Sequence, residues 1–277
     1  MNVSAQIGTS NPAGMSALLK AVIAAVKLVA AEEIMPRYLK VAHQRKGDGS
    51  LCTEADITAQ NALVKKLQAI VNVPVLGEEM TAAEQHAIWQ TGQDGLWCVD
   101  PIDGTSNFVR GLPYFAVSVA LLRGGKSVLG VVFDPVGSEM FAAEHGRGAY
   151  LNGEKLRDHA AAITLEKALA SVDMKRLNKK LVTKLAADPP YASQRNFGAS
   201  ALDWCYTAVG RYDMYLHGGQ KLWDYAAGAL IFQESGGHAC CIETDDFALG
   251  DIWQRSVIAA RDEQLFEDWK SWIRAQQ

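Results

Sequence analysis

Hydrophobic residues recur with a helical period twice in the first part of the chain, over residues 16–34 and about 55–71. Both segments begin near residues that commonly cap helices, so each pattern predicts a helix. Runs rich in β-branched residues, separated by turn residues, then predict strands. The predicted strands lie at residues 73–76, 96–99, 115–122, 127–133, 139–143 and 148–151. We therefore predict an α+β half over residues 1–155, with two helices on an antiparallel sheet.

The pattern changes at about residue 156, beyond which strands and helices alternate. The predicted strands are residues 168–172, 212–216, 238–242 and 256–260, and the predicted helices are 177–187, 200–210, 223–235 and a last one from 263. Alternation of the two element types is typical of an α/β arrangement, which we assign to residues 156–277. We expect the two halves to pack together as one unit.

The composition indicates a soluble globular protein. Hydrophobic residues make up 49% of the 277, and a net charge of −4 provides no basic excess for a nucleic-acid surface. The most apolar stretch, residues 17–31, is too short and too interrupted by lysine to span a bilayer, and no basic segment precedes it as in a signal peptide. The odd number of cysteines, five, favours a reducing compartment. We expect a cytoplasmic protein without nucleic-acid or membrane partners.

Two carboxylates, Asp100 and Asp103, end the predicted strand at residues 96–99. Pro101 fixes its own φ and keeps Asp100 out of helical conformation, so the chain should leave the strand in a defined turn. Both carboxylates and the carbonyl of Ile102 can then face one point. Three hard oxygen donors so close together suit Mg²⁺ or Mn²⁺ and do not suit zinc, which prefers nitrogen and sulfur.

A candidate phosphate-binding segment follows directly after Asp103. Gly104 allows close approach of the backbone, and Thr105-Ser106-Asn107 supplies capping chemistry for a following helical turn. Free N–H groups at such a start bind phosphate, so the segment indicates phosphoryl chemistry. Asp, Pro and Gly are also common turn residues, and an isolated match would fit a plain polar turn equally well.

Other segments bear on this choice. They are Lys46-Gly47-Asp48-Gly49-Ser50 with Thr53-Glu54-Ala55-Asp56, Gly77-Glu78-Glu79, and Trp223-Asp224-Tyr225-Ala226-Ala227-Gly228. Together with the carboxylate segment they resemble, in the same order, the inositol monophosphatase family of Mg²⁺-dependent phosphatases. The resemblance implies a five-layer αβαβα sandwich, hydrolysis of phosphomonoesters, inhibition by Li⁺ and, usually, a homodimer.

The resemblance also implies the metal ligands. Glu78, Asp100 and the Ile102 carbonyl would hold one ion, and Asp100, Asp103 and Asp224 a second. A third, weaker site would lie beside Glu78. Two or three Mg²⁺ ions are therefore expected, with Mn²⁺ as the alternative metal. Four carboxylates brought together would repel one another, so they need cations.

Two of the acidic positions have ordinary explanations as well. Glu79 adjoins Glu78, but neighbouring side chains on an extended chain point to opposite faces, and the family match selects Glu78. Asp224 begins an apolar helix, which it would cap in any protein. Both roles can hold at once for Asp224, because a carboxylate there can cap the helix and reach metal.

For catalysis, the resemblance implies that Thr105 and Asp56 activate the attacking water, with Glu78 beside them. A hydroxyl accepts a proton poorly by itself, but a carboxylate partner can orient it. The sequence alone favours the reading of Asp56 as an ordinary acid at a helix start. Lys46 could offset phosphate charge, or it could be a solvated loop lysine.

Substrate contacts are predicted on both sides of this centre. Residues 195–200 align with a family segment that flanks the substrate, and the amides of residues 103–105 should hold the phosphoryl oxygens. The predicted substrate-binding residues are Lys46, Asp103, Gly104, Thr105, Gly198, Ala199, Ser200, His217 and Asp224.

His217 departs from the family pattern. It stands seven residues before Asp224, where inositol-preferring members carry a glutamate that binds ring hydroxyls. A histidine there removes a fixed negative acceptor and could favour a different or more anionic substrate. The alternative is a surface histidine at a strand end. Gly218-Gly219 beside it suggests a mobile rim.

The sequence therefore predicts a Mg²⁺-dependent phosphomonoesterase that uses metal-activated water on an inositol monophosphate or a related polyol or sugar phosphate. The alternatives within the fold are phosphatases of histidinol phosphate, fructose 1,6-bisphosphate or 3′(2′),5′-bisphosphate nucleotides. A non-catalytic regulatory protein that binds divalent ions is the alternative from a different class.

Overall fold

The computed structural model describes residues 14–40, 43–45, 51–157 and 162–277. The helices are α1 (Ala17–Val29), α2 (Glu54–Ile70), α3 (Ala82–Thr91), α4 (Thr105–Arg110), α5 (Lys179–Ala187), α6 (Ser200–Ala208), α7 (Leu222–Glu234) and α8 (Glu263–Ala275). The strands are β1 (His43–Arg45), β2 (Leu51–Thr53), β3 (Val75–Gly77), β4 (Leu96–Asp103), β5 (Ala116–Arg123), β6 (Lys126–Asp134), β7 (Glu139–Glu144), β8 (Gly148–Leu151), β9 (Glu154–Lys155), β10 (Leu169–Asp173), β11 (Ser193–Arg195), β12 (Met214–Gln220), β13 (His238–Cys240) and β14 (Arg255–Ala260). No helix in these ranges is both long and apolar enough to cross a membrane.

The larger sheet has seven strands in the order β3-β4-β5-β6-β7-β8-β9. The strands from β4 onward are antiparallel neighbours, and the β5–β6 hairpin turns at Gly124 and Gly125. Their φ values of 56° and 70° are those that a tight two-residue hairpin turn needs. β3 runs parallel to β4 instead, because α3 carries the chain back across the sheet between them. The predicted antiparallel sheet is therefore wrong at this edge.

The smaller sheet has five strands in the order β11-β10-β12-β14-β13. The first three are parallel, as the alternation of strands and helices indicates. β14 is antiparallel to both of its neighbours, so the sheet is mixed rather than purely parallel.

Helices cover both sheets and separate them. α1 and α2 pack on the outer face of the larger sheet, α6 and α7 lie between the two sheets, and α5 and α8 cover the outer face of the smaller one. Each apolar interface contains one fully buried tryptophan, namely Trp97, Trp204 and Trp269 respectively. The result is the five-layer αβαβα sandwich that the family resemblance implied.

The division into halves at residue 156 stays a prediction, although each large sheet draws its strands from one side of that point. Lys46 lies outside the described residues. Residues 43–45 form β1, which pairs with β2 in a separate two-stranded sheet.

Candidate active site

Asp100 and Asp103 lie on one face of β4 because the strand contains a bulge. In a regular strand, residues three positions apart point to opposite faces. Asp100 pairs with Ser118 of β5 and Asp103 with Ala116, so β4 carries one residue more than β5 over this interval. The bulge lies beside Pro101, where the missing N–H disturbs the ladder least. It brings both carboxylates to one point, although the segment is strand rather than the predicted turn.

Asp224 reaches the same point from the first turn of α7. Its carboxylate accepts a hydrogen bond of 2.9 Å from the backbone N–H of Lys221 and so caps the helix. One carboxylate oxygen each from Asp100, Asp103 and Asp224 lie within 4.8 Å of one another. Asp224 therefore caps its helix and joins the other two acids at once.

The electrostatics of this cluster call for a cation. Burial raises the pKa values of Asp100 and Asp103 well above their usual range, and the neighbouring carboxylates raise them further. Burial also raises the pKa of Asp224. A bound divalent ion removes this repulsion without protonating the acids. The donors are oxygen only, so the residues fit Mg²⁺ or Mn²⁺.

Glu78 stands at the edge of the cluster. Its backbone N–H donates to the carbonyl of Val99 at 3.2 Å, which continues the parallel pairing of β3 with β4. Its side chain faces the same cleft and hydrogen-bonds Asp100, which raises the pKa of Asp100. The backbone N–H of Glu79 donates to the Gln60 side chain at 3.0 Å, and this bond holds the loop against α2.

Thr105 lies beside the cluster and contacts Asp56. Its hydroxyl is 3.1 Å from the Ile102 carbonyl oxygen and 3.4 Å from Asp56 Oδ1. Asp56 is fully buried, and its other oxygen accepts two bonds of 2.6 Å from the N–H and the hydroxyl of Thr53. Asp56 thus caps α2 and also reaches Thr105, so the two readings of this acid are compatible.

A cleft of about 360 Å³ opens beside these groups, between the ends of the two large sheets. The predicted residues that line it are Glu78, Asp100, Ile102, Asp103, Gly104, Thr105, Gly198, Ser200, His217 and Asp224. Ala199 is fully buried and lies behind Gly104, where an added Cβ would be 3.1 Å from the Ala199 Cβ. A larger cleft of about 1020 Å³ beside the β5–β6 hairpin has a mainly apolar lining. The carboxylate cluster selects the smaller cleft as the site.

His217 is neither at the surface nor beside a mobile rim. The residue is 2% exposed, and Nε2 lies 3.3 Å from Asp173 Oδ2. Gly218 and Gly219 continue β12, and Gly218 packs so closely that an added Cβ would lie 2.1 Å from the Arg176 carbonyl oxygen. The prediction of a mobile rim is therefore wrong, because Gly218 is closely packed and the backbone of Gly219 hydrogen-bonds to Arg176 and His217.

The sequence reasoning missed four further residues that line the cleft, namely Asp173, Lys175, Arg176 and Asp203, whereas Asn196, which also lines it, lies in the predicted segment 195–200. Asp173 ends the apolar strand β10, as Asp100 follows the apolar part of β4, and this parallel is a signal that could have found it. The other positions carry no comparable local pattern.

Asp203 is a buried acid of α6 at the cleft wall. Its Oδ1 accepts a bond of 2.8 Å from the Tyr114 hydroxyl, and the Ser171 side chain also hydrogen-bonds it. Burial raises the pKa of Asp203 to about 7, against the opposing effect of these two hydrogen bonds. The acid is therefore part protonated at neutral pH.

Comparison with known sequences identifies a family. A model of the inositol monophosphatase family matches residues 15–274. The chain is 35% identical over 228 residues to the inositol-1-monophosphatase of Caulobacter vibrioides. This alignment covers 80% of this chain and 86% of that protein. It is 40% identical over 193 residues to Nus factor SuhB of Pseudomonas aeruginosa, and this alignment covers 67% of this chain and 70% of that protein.

Solved structures share the fold. The extragenic suppressor protein suhB of Bartonella henselae is 28% identical with a TM-score of 0.80, covering 94% of this chain and 99% of that one. The IMPase of Thermotoga maritima is 28% identical with a TM-score of 0.79, covering 93% and 96%. Fold, carboxylate cluster and relatives define a phosphoric monoester hydrolase. The chain belongs to the inositol monophosphatase family.

Proposed function

We propose that the protein hydrolyses a small phosphomonoester, an inositol monophosphate or a related polyol or sugar phosphate, with Mg²⁺ at the carboxylate cluster. The observation that carries the proposal is the convergence of Asp100, Asp103 and Asp224 within 4.8 Å, beside the Thr105–Asp56 pair. The relatives named inositol-1-monophosphatase support this substrate class. Mn²⁺ has the same preference for oxygen donors and is the alternative metal.

The metal is held by Glu78, Asp100, Asp103, Asp224 and the Ile102 carbonyl in this proposal, with two or three ions as the family resemblance implies. When bound, such ions lower the pKa of water and neutralise charge that develops on phosphate and leaving oxygens. Since the carboxylates come from β4, α7 and the segment after β3, the metal site is complete only when α7 packs on the larger sheet.

Thr105 and Asp56 orient the attacking water. The Thr105 hydroxyl carries one proton, which it donates either to the Ile102 carbonyl or to Asp56. Donation to Asp56 leaves the hydroxyl lone pairs free to accept a hydrogen bond from water in the cleft. Asp56 is held by Thr53 and by the start of α2, so the pair is positioned before the substrate arrives.

The substrate spans the cleft in this proposal. Its phosphate lies at the backbone of Gly104 and Thr105, with Lys46 available to offset charge, and its alcohol points toward Gly198 and Ser200. A volume of about 360 Å³ accommodates a small phosphomonoester.

The test is phosphate release from a substrate panel with Mg²⁺ added after chelator treatment. The panel contains inositol 1-phosphate, glycerol 2-phosphate, histidinol phosphate, fructose 1,6-bisphosphate and 3′-phosphoadenosine 5′-phosphate. We expect Mg²⁺-dependent turnover, best on a polyol or sugar monophosphate, and its loss in Asp100→Asn. The matched control is Asp188→Asn, the same change at an exposed acid at the end of α5, which should behave as wild type. Turnover that survives in Asp100→Asn would contradict the assignment of the site.

A second candidate is a regulatory binding role, which the relatives named Nus factor SuhB favour. The retained acidic cluster supports catalysis over this alternative, because a site without catalytic function would not need to keep its ligands. Mg²⁺ binding without turnover of any substrate in the panel would reverse that preference.

The assembly and environment belong to the proposal as well. A homodimer and inhibition by Li⁺ follow from the family resemblance, and a cytoplasmic location follows from the odd number of cysteines, which favours a reducing compartment. Sedimentation of the purified protein and phosphate release with and without Li⁺ test the first two.

A further inference from the structure

The His217 ring is fully engaged by the protein. Its Nδ1 accepts a hydrogen bond of 3.0 Å from the Gly219 backbone N–H, and its Nε2 lies 3.3 Å from Asp173 Oδ2. A neutral imidazole carries one N–H, and because Nδ1 accepts, the proton lies on Nε2 and is donated to Asp173. His217 therefore has no ring nitrogen left to bind a substrate.

The backbone sets up this pair. Asp173 and His217 are register neighbours on the parallel strands β10 and β12. Beyond His217 the pairing of β12 with β14 shifts by one residue, and the Gly219 N–H points back at the ring. Arg176 then donates to the Gly219 carbonyl at 2.7 Å, which ties the turn after Asp173 to the same strand.

Asp173 keeps acceptor capacity toward the cleft. Its Oδ1 accepts one bond of 2.8 Å from the Lys175 backbone N–H and its Oδ2 accepts from His217, while the side chain remains 20% exposed. A carboxylate oxygen can accept two hydrogen bonds, so each has one position free. Burial would raise the pKa of Asp173, but the hydrogen bonds from His217 and from the Lys175 backbone, together with the positive charge of Arg176, outweigh burial and hold the pKa below its usual range.

We propose that Asp173 accepts a hydrogen bond from a hydroxyl or ammonium group on the leaving alcohol, and that His217 positions its carboxylate. The proposal rests on the phosphatase function proposed above. Inositol-preferring members of the family carry a glutamate at the position of His217. In this protein, Asp173 on the neighbouring strand β10 would supply the negative acceptor instead. The substrate class narrows to phosphomonoesters whose alcohol carries a hydrogen-bond donor near the ester oxygen.

The test compares kcat and KM for three phosphomonoesters with Mg²⁺. Inositol 1-phosphate offers hydroxyls, phosphoethanolamine offers an ammonium group, and 4-nitrophenyl phosphate offers no donor. Asp173→Asn should lower kcat/KM for the donor-bearing substrate by about tenfold to hundredfold more than for 4-nitrophenyl phosphate, because a charge-assisted hydrogen bond is lost. If kcat/KM falls more for inositol 1-phosphate, the natural donor is a hydroxyl. If it falls more for phosphoethanolamine, the natural donor is an ammonium group.

His217 is tested by rescue. His217→Leu removes the donor to Asp173 and should reproduce the selective loss, whereas His217→Gln keeps a side-chain N–H and should restore part of it. Asp188→Asn is again the surface control, and thermal melting checks that each variant folds. An equal loss on all three substrates would make Asp173 a structural residue and overturn the proposal. Fructose 1,6-bisphosphate is added as a fourth substrate, and a gain in Asp173→Asn confined to it would assign the subsite to anions through Lys175 and Arg176 and would overturn the proposal too.

Failure of the proposed phosphatase function can be distinguished from failure of the Asp173 subsite. If wild-type protein turns over none of these compounds, calorimetric titration with inositol 1-phosphate in Mg²⁺ replaces kinetics. Weaker binding in Asp173→Asn then supports the subsite, and equal binding overturns it.

Discussion

At the scale of single residues, the acids of the cleft differ because their surroundings differ. Asp56 is buried among hydrogen-bond donors, Asp173 accepts from a histidine, and Asp100 faces other carboxylates. One site can give neighbouring acids different tasks by placing them in environments that separate their pKa values. In the function proposed above, the carboxylates that repel one another would hold metal, whereas Asp56 and Asp173 would orient other groups.

Thr105→Ala should lower kcat by about 10²–10⁴-fold, the usual loss when general acid–base help is removed. Metal affinity should change little, because the side chain contacts Asp56 and a carbonyl rather than the carboxylate cluster. Steady-state kinetics over a range of Mg²⁺ concentrations measures both quantities. Thr105→Ser keeps the hydroxyl and is the matched control. A change confined to KM would make Thr105 a residue that only positions phosphate.

Asp203→Asn should change how stability depends on pH. The folded-state pKa of about 7 lies above the ordinary value of 3.8, so the folded protein binds the proton more tightly than the unfolded chain. The resulting stabilisation is complete below the ordinary pKa and is lost as pH rises through the folded pKa. Between about pH 4 and about pH 7, the melting temperature of the wild-type protein should therefore fall more than that of Asp203→Asn, both measured with saturating Mg²⁺. The same pH dependence of melting temperature in both proteins would refute the shifted pKa.

At the scale of elements, the substrate side of the cleft is a locked junction between β12 and the turn that follows β10. The Asp173–His217 bond, the Arg176–Gly219 bond and the close packing of Gly218 act on the same few residues. Rigid elements hold binding groups more accurately than free loops, because less ordering is left for the moment of binding.

Gly218→Ala should break this junction. The new Cβ would lie 2.1 Å from the Arg176 carbonyl oxygen and 2.4 Å from its carbon, so the backbone turn must move. Gly219→Ala is the matched control one residue away, because its Cβ would meet only the flexible Gln254 side chain, at 2.9 Å. We expect a lower melting temperature and a higher KM for inositol 1-phosphate in Gly218→Ala, and a clearly smaller change in the control. Similar behaviour of both variants would show that the packing does not matter.

Elements with local signals were predictable, and contacts between distant strands were not. The β5–β6 hairpin follows from Gly124-Gly125 between apolar runs, and the cap of α2 follows from Thr53 and Asp56. The parallel edge strand β3 and the Asp173–His217 pair depend on strand order, which no local pattern encodes. Glu78 and Asp224 could be assigned to the same cluster as Asp100 and Asp103 only because the family resemblance linked segments far apart in the chain.

At the scale of the whole molecule, the site forms where the layers meet. Asp103 of β4 accepts a hydrogen bond of 2.6 Å from the Ala201 backbone N–H in α6, and Ser118 of β5 donates to the Trp223 carbonyl in α7 at 3.1 Å. The middle helical layer therefore carries Asp224 to the acids of the larger sheet. Metal bound there would tie the middle helical layer to the larger sheet.

Mg²⁺ should therefore stabilise the whole fold, and Asp224→Asn should remove most of that effect. A ligand that binds only the folded state adds about 2.7 kcal/mol at a hundredfold excess over its dissociation constant, and here it also relieves repulsion among buried acids. Asparagine keeps the oxygen that caps α7 but removes one charge, so the metal-free variant should melt no lower than metal-free wild type. Thermal melting with chelator and with increasing Mg²⁺ measures both effects, and Asp188→Asn should respond as wild type. A full Mg²⁺-induced rise in Asp224→Asn would show that Asp224 is not a metal ligand.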